Sequence, residues 1–193
     1  MNSLSDIKRR LVSVKQTRQI TGAMETVSIS KMRKATERYE TSREYVNAVR
    51  ATMRCAAGCV PPPEKPRSVR KAVFVVAADK GLCGAFNHDV LRLADGVIDA
   101  DTVIIPIGKT AAEYFRKREN IDDRFVDSIV GADYAHAKSL ADVAFSYYDG
   151  GAQSVSFAYN ALTSHSAYAP TVRQVLPCEQ DAAARVNEDG YEP

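Results

Sequence analysis

Any chemistry in this chain would begin at the turn Asp79-Lys80-Gly81-Leu82-Cys83-Gly84. A thiol close to a helix start can ionise easily and act as a nucleophile, and His88, one helical turn onward, is the one histidine near enough in sequence to serve it as a base. The sequence has no GxSxG, so the nucleophile-elbow geometry is not encoded. The same turn follows an apolar run and precedes a helical pattern, where a nucleotide-binding fold places its phosphate loop. Yet Gly81 and Gly84 make only GxxG, and Lys80 precedes the glycines instead of following them. That order matches neither GxGxxG nor the P-loop. A tight turn or a protein contact is the favoured reading, so no catalytic residue and no cofactor are assigned.

The remaining candidates are weaker. Cys55 and Cys59 lie four apart on one helical face, a spacing that could hold a metal only with further ligands. None is nearby, and His88, His136 and His165 are scattered. The four cysteines read as small apolar residues in a reducing compartment, and no metal is expected. The pairs Asp99/Asp101 and Asp122/Asp123 read as solvated loop acids.

Charge is distributed unevenly. Residues 1–54 carry 12 Lys+Arg against 5 Asp+Glu, and residues 55–193 carry 14 against 19, which gives +7 and −5 behind the overall +2. The N-terminal segment therefore suits an acidic neighbour. Nucleic acid would be one, through Lys8-Arg9-Arg10 and Lys31, Arg33, Lys34 and Arg38. No aromatic residue interleaves the first cluster and no DNA-binding motif is present, so an acidic protein surface is favoured over nucleic acid.

Behind these residues stand the elements that must position them. From Ser5 to about Ala57 there is no proline and one glycine, Gly22, so the segment predicts one long helix with Ser5 as its N-cap. Ile7, Leu11 and Val14, then Met32, Ala35, Tyr39, Ser42, Val46, Val49, Met53 and Ala56, recur at four and three. Between them Ile20, Met24 and Val27 carry the stripe slightly out of phase, and Thr17, Thr21, Ser28 and Ser30 dilute it. This is a coiled-coil-type seam too weak to hold a lone helix, so a partner helix is required.

The expected organisation is a helix over 1–58, a proline-rich linker over 59–68, an α/β domain over 69–178 and a polar tail over 179–193. In the domain, Lys71–Ala78 and Thr102–Gly108 read as buried strands, Arg124–Ile129 as a third, and Ser154–Ala161 with Thr171–Leu176 as a pair that can run antiparallel. Helices are expected over Ala85–Ile98, Lys109–Arg118 and Asp133–Tyr148, the last capped by Asp133. Strands alternating with helices predict the α/β class, a Rossmann-like domain with a mainly parallel sheet. No run approaches a membrane span, and the charged start lacks a signal-peptide core.

Several segments resemble a known family. Ile7-Lys8-Arg9-Arg10-Leu11, Gln19-Ile20-Thr21-Gly22-Ala23-Met24 and Ser30-Lys31-Met32-Arg33-Lys34 look like the N-terminal helix of the γ subunit of F-type ATP synthases. The stretch Asp79 to Asn87 looks like that family's most recognisable internal motif, and Phe157-Ala158-Tyr159-Asn160 and Val175-Leu176-Pro177 are similar to its last strands. The resemblance implies a central rotor shaft without a catalytic site of its own. It sits inside a ring of α and β subunits, meets the ε subunit and the membrane c-ring, and lies peripherally on the cytoplasmic face of a bacterial membrane. It also implies contacts to the β subunits from Arg9, Met24, Lys31 and Arg33, and from Lys80, Gly81, Leu82, Cys83 and Gly84.

Two departures follow from the same comparison. The family usually carries Lys where Gly22 stands. The last residues, Asp189 to Pro193, resemble the point just before the family's long C-terminal helix. The partner helix is therefore expected to be absent from this sequence, which reads as a fragment, as the product of a split or truncated gene, or as a shaft whose second helix a separate chain supplies.

Overall fold

The computed structural model describes residues 4–59, 70–127, 133–164 and 167–178, with the side chains of 54, 55 and 57–59 excepted. The expected linker, the polar tail, His165 and the Cys55 and Cys59 side chains lie outside the described residues. The chain divides into two compact units, residues 1–53 and 54–193.

The first unit is helical. α1 runs from Leu4 to Cys59, 56 residues, a length of about 84 Å at 1.5 Å per residue. Ser5, expected as its N-cap, sits inside the first turn. Hydroxyls along the helix turn back on the preceding turn: Thr17 donates to the Ser13 carbonyl at 3.0 Å, Thr21 to Thr17 at 2.8 Å and Ser28 to Met24 at 2.7 Å.

The second unit is a four-stranded sheet of order β2-β1-β3-β4. Its elements are β1 (Lys71–Val76), α2 (Phe86–Asp95), β2 (Val103–Ile107), α3 (Lys109–Phe115), α4 (Tyr134–Asp149), β3 (Ser154–Leu162) and β4 (Tyr168–Leu176). β1 pairs in parallel with β2 and β3, and β3 pairs antiparallel with β4. The mainly parallel sheet and the antiparallel closing pair agree with the sequence pattern.

Alternate residues of β1 build two cores. Val73 and Val75, with Ala77 just past the strand end, face α2 and α3 through Val90, Leu91, Ala94, Ala111 and Phe115. Ala72 and Phe74 face α4 and the preceding segment through Ala144 and Phe125. A strand covered on both faces has to be apolar throughout, which is why KAVFVV reads as an unbroken run. Phe74 is fully buried and stacks on Phe157, its register partner, at 4.5 Å; cutting such a ring back to Ala costs about 3–5 kcal/mol.

One expected strand is corrected. Residues 124–127 of the expected strand Arg124–Ile129 form a turn, and Ile129 lies outside the described residues. The edge of β2 is instead met by one parallel bridge, Ile104 to Ile121, with Ile104 N–H donating to Asn120 O and Asp122 N–H donating to Ile104 O. The Asp122 carboxylate then draws Arg124 back, accepting from its Nε at 2.8 Å, and Phe125 drops into the core at the turn. The alternation of apolar residues there marks one buried ring.

Candidate partner interface

The helix residues can be placed by geometry. At about 100° per residue, Thr17, Thr21 and Ser28 fall within about 80° of Ile7 and fill the line from Leu11 and Val14 to Met32. Ile20, Met24 and Val27 face about 100–160° away from Ile7 by the same count, a larger offset than the slight one expected from their spacing. α1 therefore carries two adjoining faces over its N-terminal half. One is a seam whose middle is made of hydroxyl residues already bonded to their own helix. The other is apolar and basic, and combines Ile20, Met24 and Val27 with Arg9 and Lys31.

Of the expected contacts on this helix, Arg9, Met24 and Lys31 thus fall within about 60° of one another. Arg33 does not join them; it projects well to the side, about 160° from Lys31. All four are exposed, as are the apolar residues of both faces. Among the described residues no carboxylate ion-pairs with Arg9, Lys31 or Arg33. Gly22 lies on the seam side of a shallow hollow lined also by Val14, Thr17, Arg18, Thr21 and Glu25, and nothing stands within 4 Å of where its Cβ would be.

The turn after β1 is a separate, rigid feature. It lies where the strand order reverses, between the C-terminal ends of β1 and β3, the usual ligand crevice of an open α/β sheet. Here the protein fills that crevice itself. Asn160 of β3 donates Nδ2–H to the Phe86 carbonyl at 2.7 Å, and the Tyr168 ring of β4 meets the Phe86 ring edge-on at 4.7 Å.

Buried Asn87 fastens the turn from inside. Its Oδ1 accepts from Ala78 N–H at 2.9 Å, and its Nδ2 donates to Lys80 O at 3.4 Å. Asp79 accepts from Lys109 N–H at 3.1 Å, and so caps α3, whose own N-cap is Gly108 with φ 95°. Gly84 has φ 59° and Leu82 has φ 63°. Lys80, Gly81, Leu82, Cys83 and Gly84 all stand exposed as one contiguous surface. Asn87 belongs to the recognised motif but was not among the expected contacts, because an amide bonded to backbone groups leaves no spacing signal. The Cys83 sulphur lies 3.9 Å from the Lys80 carbonyl, and among the described residues no imidazole is hydrogen-bonded to it. Nor do the described residues gather three or more His, Cys, Asp or Glu side chains into a metal-binding group.

A three-layer α/β domain and a long helix with two exposed faces define a class of protein whose helix is made to be covered by others. The comparisons with known proteins give the family. A family model described as ATP synthase matches residues 3–193. The ATP synthase gamma chain of Pelotomaculum thermopropionicum is 34% identical over 208 residues, covering 100% of this chain and 72% of that one. That of Ruminococcus albus is 36% identical over 194 residues, covering 93% of this chain and 67% of the relative. The fold is shared with the rotor of Euglena gracilis mitochondrial ATP synthase (TM-score 0.66, 17% identity, 87% of this chain and 60% of that one). It is shared also with the central stalk of the Tetrahymena thermophila enzyme (TM-score 0.64, 21% identity, 82% and 72%). The protein belongs to the ATP synthase gamma-chain family, the central stalk of the F-type enzyme.

Proposed function

We propose that this protein acts as the rotating shaft of an F-type ATP synthase, transmitting torque between a membrane rotor ring and a catalytic ring of α and β subunits. The observation that carries the reading is the division of α1 into two exposed faces. A seam that is apolar at its ends takes a second long helix, the C-terminal helix of a gamma subunit. The apolar, basic face with Arg9, Met24 and Lys31 then remains free to meet acidic surfaces of the β subunits.

The mechanism needs no reacting group on this polypeptide. A shaft orders the states of three identical catalytic subunits only if it interacts differently with each, because a partner with equal affinity for two states shifts neither. A helix pair with unlike faces is lopsided in cross-section and meets that requirement. The turn at Lys80–Gly84 supplies a second contact to the β subunits, and the α/β domain meets the ε subunit and the c-ring. Attachment on the cytoplasmic face runs through those partners; among the described residues no helix is long and apolar enough to cross a membrane.

The test is co-purification. The tagged full-length protein expressed with ATP synthase α and β subunits should bring both down in a complex that survives size-exclusion chromatography. Recovery of the tagged protein alone, with neither subunit retained, rejects the proposal. Binding to duplex DNA with a steep salt dependence would support a nucleic-acid function instead.

A further inference from the structure

We infer that Leu82 is a preorganised apolar anchor that inserts into a hydrophobic pocket on a protein partner with carboxylates at its rim. Leu82 combines two properties that fold stability does not select. Its side chain is fully exposed and packs against nothing. Its backbone sits at φ 63°, in the left-handed region that disfavours residues with a bulky Cβ substituent and suits Gly or Asn. A sequence selected for the turn alone would carry one of those two residues here. A sequence selected for solubility would not present leucine there either.

The surroundings show that this conformation is imposed. Asn87 bonds to Ala78 N–H on one side and Lys80 O on the other, and Phe86 N–H donates to Cys83 O at 3.3 Å. Asn160 anchors the carbonyl of Phe86 in turn. A strained residue held by an over-determined frame points to function. A side chain presented in this way loses little backbone freedom on binding, which favours affinity. Lys80, exposed and without an ion pair among the described residues, supplies the charge that selects a carboxylate-rimmed pocket.

The inference rests on the proposed function and names one contact of the Lys80–Gly84 turn. It is tested on the full-length protein with the cognate ATP synthase α/β hexamer as probe, by measuring affinity and thermal unfolding midpoint for wild type, Leu82→Asn and Leu82→Met. Leu82→Asn should leave the midpoint unchanged or raised, because asparagine tolerates the backbone better, yet weaken binding by about tenfold or more, as loss of an interface anchor does. Leu82→Met should bind within about threefold of wild type, since the apolar volume is kept. Equal affinity of Leu82→Asn and wild type overturns the anchor while the rotor reading stands. A fall in affinity that tracks a fall in midpoint also overturns it, because Leu82 would then be structural. Failure of the wild-type protein to bind the hexamer overturns both together.

Discussion

Tyr147 of α4 donates its hydroxyl to the Asp122 carboxylate at 2.6 Å, bridging 25 residues between α4 and the loop that closes the edge of β2. Arg124 holds the other carboxylate oxygen at 2.8 Å. Burial raises the pKa of Asp122, but the hydrogen bonds from Tyr147 and Arg124 outweigh it and leave a net lowering. Burial first, and the bond to Asp122 second, push Tyr147 from 10.0 to about 12.

This pair makes stability depend on pH at both ends. Below about pH 4 the unfolded protein binds the Asp122 proton more readily than the folded one does, so stability falls as acid is added. Above about pH 10 the unfolded tyrosine ionises first, so the contribution of Tyr147 is lost between there and about 12. Tyr147→Phe should lower urea stability by about 1–2 kcal/mol near neutrality. It should also flatten the alkaline limb of stability against pH. An unchanged limb in the variant would refute the assignment.

Asn87 should prove structurally costly to replace. Asn87→Ala leaves the Ala78 amide without its partner beside the sheet, a loss of about 1–3 kcal/mol. Asn87→Asp retains the acceptor but loses the donor to Lys80 O, so it should fall between wild type and alanine. Denaturant midpoints of the three proteins give the ranking.

Gly22→Ala should stabilise α1 by about 1 kcal/mol, because nothing stands within 4 Å of the added methyl group. Circular dichroism at 222 nm through a thermal ramp reads the change. Adding a peptide that spans the C-terminal helix of a gamma subunit should raise helicity further. A spectrum unaltered by the peptide would count against the seam as a pairing surface.

The two sides of α1 can be told apart by charge reversal. Lys31→Glu, on the face of Met24 and Arg9, should weaken hexamer binding about tenfold and reduce its salt dependence. Arg33→Glu, directed elsewhere, should change it by less than about threefold. Equal effects in surface binding assays at two ionic strengths would mean that the two-faced description of the helix is wrong.

Local patterns carried much of this fold. Asp133 was legible as an N-cap, and it accepts from His136 N–H at 3.0 Å as such a residue should. The unbroken apolar runs of β1 and β2 announced strands covered on both sides. The turn at 124–127 was hidden because Phe125 and Val126 resemble strand residues, and only the long-range bond from Tyr147 shows why the segment folds back. The two faces of α1 were partly hidden for a different reason. Ile20, Met24 and Val27 are spaced four and three among themselves, but steps of six from Val14 and five to Met32 turn the group off the line and back again. Asn87 left no trace beyond its place in the motif, since both of its partners are main-chain atoms.

The hydroxyls of Thr17, Thr21 and Ser28 have a kinetic consequence. Each already gives its proton to its own helix, so a neighbour lying against this stretch meets no free hydroxyl proton, only oxygens that can still accept. When that neighbour shifts along or around the helix, no bond donated by these hydroxyls has to break and reform. The barrier to slippage there comes from side-chain shape and from whatever bonds the neighbour itself donates, and threonine methyl groups are small.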